Sequence, residues 1–204
     1  MAPFFETVKS FADVPITDAG VDTLAFLEAA QGVVALFELL GSAAFTPVQT
    51  DLKGNIAKVR ARYDADPAQS STLELLVVNE KGEKKRTATE GLLWLIRGLS
   101  FTCKALLAAQ ANPTEELSTA FTKSYEATLK KFHNFVVKGI FSVAMRACPY
   151  RADLYSKLAA DPAGGPPVPA DKLNEELNKW LAALDLIVKR MEKFYEEGGH
   201  GKGF

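Results

Sequence analysis

The segment Thr87–Ala111 would be apolar on both sides if it were helical. Leu92, Leu95, Ile96, Leu99, Cys103 and Leu106 form one stripe at helical spacing. Trp94, Gly98 and Phe101 stack along the opposite side, with Arg97 close by. A helix that is oily all round belongs inside, between two layers of other helices. Gly98, one turn beyond Trp94, leaves room there for a close neighbour. The rest of the chain agrees, because helical periodicity dominates and strand-like alternation is nearly absent. Caps and breakers place helices at 18–40, 46–64, 71–78, 87–111, 114–147, 152–160 and 171–196. The expectation is an all-α, two-layer sandwich of about eight helices in a single domain, 1–204. Residues 1–17 read as irregular, and the glycine-rich stretch 198–204 reads as a mobile tail.

Charge and composition remove several functions. A net charge of −1 argues against a nucleic-acid binder. Two cysteines, Cys103 and Cys148, do not make a disulfide framework and fit a reducing compartment. The N-terminus lacks the basic start and apolar core of a signal peptide, and no apolar run appears long enough for a membrane span. The reading is a cytoplasmic protein whose membrane contact is peripheral and reversible. Nucleophilic catalysis finds no serine or cysteine elbow and only two histidines, His133 and His200. No cofactor motif is present, and a metal site would need more His and Cys than the chain holds.

Two patterns remain that carry chemistry. Asp51, Asn55 and Lys58 recur at i, i+4 and i+7 and share one helical face beside the apolar row Val48, Leu52, Ile56 and Val59. An acid, an amide and an ammonium beside hydrocarbon suit a ligand with hydroxyls at one end and grease at the other. By spacing alone, a solvated helix face fits this row equally. On a helix over 130–146, His133, Val137, Ile140 and Ala144 form one stripe, flanked by Phe141, while Lys131, Phe135, Lys138, Ser142 and Arg146 form the opposite one. His133 then points inward, as a satisfied interior histidine or as a ligand-binding group. Phe135 stands among cations, as a plain surface aromatic or as a lipid contact.

Together the segments GSAAFTPVQTDLKGNIAKV, LLWLIRGLSF, LKKFHNFVVKGIF and CPY resemble the glycolipid transfer protein family, from about residue 26 to residue 195. Phe135, where many relatives have Trp, is similar to the fungal branch. The resemblance implies a two-layer all-α fold that carries one glycosphingolipid between membranes without changing it. It implies that Trp94 stacks under the sugar, that Asn55 and Lys58 bond its hydroxyls, that Asp51 accepts from the ceramide N–H, and that His133 donates to the ceramide carbonyl. The hydrocarbon channel is expected at Leu36, Phe37, Phe45, Leu129, Val137 and Phe141, collapsed when empty. Membrane contact is expected at Phe135, Val136, Lys138, Arg146 and Tyr150. The partners implied are a glycosphingolipid and a membrane surface, with the protein itself a monomer. Two rival readings stay open: a ceramide-1-phosphate carrier, kept alive by Arg97, and a glycolipid sensor that binds without carrying. An enzyme would need two carboxylates at the bond it cleaves, and Asp51 alone stands out.

Overall fold

The computed structural model describes residues 3–161 and 163–204. Among them the elements run α1 (Pro3–Thr7), β1 (Ile16–Thr17), β2 (Gly20–Val21), α2 (Thr23–Leu40), α3 (Thr46–Ala65), α4 (Leu73–Glu80), α5 (Thr87–Ala111), α6 (Leu117–Ala127), α7 (Phe135–Arg146), α8 (Arg151–Ala159) and α9 (Ala170–Gly198). The fold is the expected all-α sandwich, with α5 at its centre, packed by α3, α6 and α9. Leu92, Leu95, Ile96, Leu99, Phe101, Cys103 and Leu106 are buried together in one core. Gly91 and Gly98 let α3 lie close, since a Cβ at Gly98 would sit 3.1 Å from Leu52 Cδ2 and one at Gly91 3.0 Å from Lys58 Cβ. Both cysteines are free, and burial pushes each thiol up to about 12.

Several expectations are corrected. The N-terminal stretch is ordered from residue 3, residues 1 and 2 lying outside the described part. Phe4, Phe5 and Phe11 are buried, and Phe5 and Phe11 meet Trp180 at ring separations of 5.9 and 5.1 Å. Helix α2 begins at Thr23 because Asp22 caps it, accepting from Ala25 N at 2.8 Å, while β1 and β2 pair as a short hairpin just before it. The stretch 114–147 is two helices, since Asn134 accepts from Val137 N at 3.0 Å and starts α7 afresh. The C-terminal segment is docked: Arg86 donates to the carbonyls of His200 (3.0 Å) and Lys202 (2.8 Å), and its guanidinium lies 4.5 Å from the Phe204 ring centre. His200 is 7% exposed and stacks on Phe194 at 4.7 Å.

Helices α2 and α5 are also long and apolar enough to cross a bilayer, with mean hydropathy 1.6 and 1.5, contrary to the expectation that no run reaches that length. In each, 67% of that window is buried inside the fold, as in a core helix.

The start of α5 is held from a distance. Buried Glu80, at the end of α4, accepts from Ala88 N (3.0 Å), Thr89 N (2.6 Å) and Thr89 Oγ1 (2.7 Å). Negative charge is favourable at a helix N-terminus, and these donors have no partner within the helix. Glu80→Ala is expected to lower unfolding free energy by about 2–4 kcal/mol, measured by urea denaturation, because three buried donors lose their acceptor.

Candidate functional site

A cavity of about 370 Å³ opens between α3, α5 and the start of α7. Its α3 wall carries Asp51, Asn55 and Lys58 above Val48 and Leu52. Its α5 wall carries Trp94, Gly98 and Phe101, with Glu90 one turn before Trp94. Leu129, His133, Val137, Ile140 and Phe141 close the third side. All five predicted polar and aromatic residues therefore meet in one place, although they lie on three separate segments.

The polar wall is incompletely satisfied. Asn55 is 3% exposed; its Oδ1 accepts from Lys58 Nζ at 3.3 Å, but Nδ2 reaches no acceptor. An unpaired buried amide costs free energy in the empty protein and favours a ligand that supplies an acceptor. Asp51 stands at the mouth. Burial raises its carboxyl above the usual carboxylate value, and the adjacent Asn55 amide and Lys58 charge oppose that shift.

His133 lies in the turn before α7, not on its stripe, yet it faces the cavity. Its ring runs nearly parallel to Trp94, 6.0 Å away at 16°, and packs 4.7 Å from Phe141. Tyr125 Oη lies 3.2 Å from His133 Nδ1. Burial first, then the Lys138 charge, lowers the imidazole below its ordinary value, so it is neutral near pH 7. Sequence reasoning missed Tyr125, because an inward tyrosine on an amphipathic helix looks like core. It also missed Phe132, whose ring meets Trp94 edge-on at 6.2 Å.

Of the six expected channel residues, Leu129, Val137 and Phe141 reach the cavity. Leu36, Phe37 and Phe45 lie deeper in closed core. A chain of ring contacts joins the two sets: Phe141 to Phe101 (5.9 Å), Phe101 to Phe121 (5.5 Å), Phe121 to Phe37 (6.3 Å) and Phe37 to Phe45 (5.5 Å).

The outer face of α7 differs from the basic stripe read in the sequence. Phe135 is 90% exposed, and Val136, Ile140 and Val143 are exposed beside it, so the ridge is apolar. Ile140 was expected inside; the helix starts later than predicted and leaves its side at the cavity rim. Lys138 and Arg146 instead line a groove toward α6 with Tyr125 and Ser142, while Tyr150 projects freely beyond the helix end.

Comparison with known proteins fixes what this arrangement belongs to. Residues 21–160 match the sequence profile of the family described as "Glycolipid transfer protein (GLTP)". The chain belongs to the glycolipid transfer protein family. It is 47% identical over 192 residues to a glycolipid transfer protein of Aureobasidium melanogenum, covering 94% of this chain and 92% of that one. It is 34% identical to human pleckstrin homology domain-containing family A member 8 over 96% of this chain, which spans 39% of that relative's length. Among solved structures, HET-C2, a fungal glycolipid transfer protein, superposes with a TM-score of 0.87 at 48% identity, covering 95% and 96% of the two chains. A mouse ceramide-1-phosphate transfer protein shares the fold at 20% identity, with a TM-score of 0.82 over 98% of each chain. In this glycolipid transfer protein family member, the polar wall, Trp94 and His133 thus form one pocket beside an exposed apolar ridge.

Proposed function

We propose that this protein carries one glycosphingolipid between membranes, without chemical change to it. The observation that carries the reading is that Asp51, Asn55 and Lys58 meet Trp94 and His133 in one pocket whose floor is hydrocarbon. Trp94 offers its face to the C–H groups of a hexose. Asn55 and Lys58 bond sugar hydroxyls, and Asp51 accepts from a hydroxyl and from the amide N–H. The Tyr125 hydroxyl lies 3.2 Å from His133 Nδ1, and in the tautomer where that nitrogen accepts, Nε2–H is left to bond the amide carbonyl. Gripping both ends of one amide selects ceramide over lipids that lack the N–H.

The 370 Å³ cavity lies at the small end of ligand-pocket volumes, enough for a single sugar headgroup. Two long chains need more room, so Leu129, Val137 and Phe141 form the entrance, and the aromatic relay to Phe37, Phe45 and neighbouring Leu36 parts to admit them. Glu90 adds a carboxylate that the sequence reading did not weigh. The reading is of a carrier rather than an enzyme. In this reading the protein works as a monomer in the cytoplasm and touches membranes reversibly.

Transfer of labelled glucosylceramide between vesicles tests the proposal. Net transfer upholds it. Rapid binding with no net transfer favours a sensor, and preference for ceramide-1-phosphate over glucosylceramide overturns the sugar assignment.

The ridge of Phe135, Val136, Ile140 and Val143, with Tyr150 beyond it, is the membrane contact, and Lys138 and Arg146 beside it meet the headgroup region. Phe135→Ala is expected to weaken vesicle partitioning by about tenfold, the loss of much of one buried aromatic's transfer energy. Binding of a soluble short-chain glucosylceramide should be unchanged, and so should the melting temperature, as the ring is 90% exposed.

A further inference from the structure

A second cavity, of about 470 Å³, lies behind the Trp94 wall, between α5, the 127–132 turn and α9. Nothing in the proposed carrier mechanism uses it. On α5 it is lined by Arg97, Ser100 and Lys104; Lys131 flanks them from the turn; Glu192 and Glu196 face them from one side of α9. Two of these groups lack partners. Ser100 is 2% exposed, yet its Oγ makes no hydrogen bond, not even the usual one to the preceding turn of its helix. Arg97 Nη1 is buried without an acceptor, while the guanidinium rests 3.7 Å from the Phe132 ring centre and 4.8 Å from that of Trp94. Burial holds Arg97 below its ordinary value, and the nearby Tyr195 phenol partly opposes that shift.

The charges in this cavity are sorted. Cations line the α5 side and carboxylates the α9 side, and among the described residues no ion pair joins the two. Opposite charges that face each other across a gap without a salt bridge are complementary to a ligand that carries both signs. The geometry points to a binding site for an ammonium-bearing phosphate ester of the phosphoethanolamine type. Its phosphate is held by Arg97 Nη1, Ser100 Oγ and Lys131, and its ammonium by Glu192 and Glu196. A simple anion would satisfy the first wall and leave the second repelling it. A guanidinium paired with phosphate no longer presents a bare charge to Trp94, so occupancy is readable in Trp94 fluorescence.

The test is calorimetric and fluorescence titration of the full chain with O-phosphoethanolamine, inorganic phosphate and ethanolamine. O-phosphoethanolamine is expected to bind saturably, about tenfold tighter than phosphate or ethanolamine, because two walls are engaged instead of one. Ser100→Ala and Arg97→Gln should each weaken it by about tenfold through loss of a bond to the charged oxygen. The Glu192→Gln, Glu196→Gln double variant should bring its affinity down to that of phosphate. Absence of saturable binding, equal affinity for phosphate, or indifference to the double variant would each overturn the proposal. Dihexanoyl-phosphatidylethanolamine below its micelle concentration separates the sources. Binding as tight as the free ester assigns a headgroup still on its lipid, and exclusion assigns the soluble ester. The double variant should still transfer glucosylceramide, and Asp51→Val should still bind O-phosphoethanolamine, so this site and the carrier reading fail separately.

Discussion

Trp94→Ala is expected to abolish measurable glycolipid transfer while the protein stays helical. The indole is the face of the pocket opposite Asp51, Asn55 and Lys58, and nothing else on α5 replaces it, since the next residue along that row is Gly98. Its loss removes the stacking term, about 0.5–1.5 kcal/mol, together with the apolar area buried against the sugar. It also frees His133 and Phe132, which lie against the indole at 6.0 and 6.2 Å. The summed effect is roughly 3 kcal/mol or more, over a hundredfold in affinity. Vesicle transfer measures it, with far-ultraviolet circular dichroism as the control. Wild-type transfer by this variant would remove the site.

Asp51→Val is expected to cost as much in transfer and to leave stability equal or slightly higher. The substitution keeps the volume and deletes the acceptor for the ceramide N–H and a hydroxyl. Each donor stranded in the closed complex costs about 1–3 kcal/mol, so affinity falls by roughly two to three orders of magnitude. Stability responds with the opposite sign. Because the folded-state value of Asp51 is raised, its ionised form is disfavoured by folding at neutral pH, and removing it relieves that penalty. The melting temperature should hold or rise, and a fall would mean that Asp51 supports the fold. The same shift sets a pH dependence. Ligand binding requires the carboxylate, so wild-type affinity should decline as pH drops through the raised Asp51 value, and the Val variant should lack that decline.

Much of this was legible in the sequence because helices announce their faces locally. The double-sided apolar pattern of Thr87–Ala111 requires an interior helix, and its bounds came out as read. Asp51, Asn55 and Lys58 share a face through spacing alone, and Gly98 next to Trp94 marks a close approach that Leu52 fills. What failed was the local signal for helix starts. Asn134 was a cap in plain view, yet the continuous amphipathic pattern across 128–134 hid the break and misplaced Ile140. The glycine-rich tail looked mobile because its anchor, Arg86, is 114 residues earlier than the carbonyl of His200 that it binds.

The helical class, the buried central helix and the composition of the polar row follow from residue order, since each depends on residues within a turn or two of one another. Tertiary structure alone decided that this row faces Trp94 and His133, that Asn55 is left short of an acceptor, and that Glu80 caps a helix it does not belong to. It also decided that Arg97 and Ser100 open onto a second cavity. Those facts depend on how far apart packed helices come to rest, a distance set by side chains on both partners that no single segment encodes.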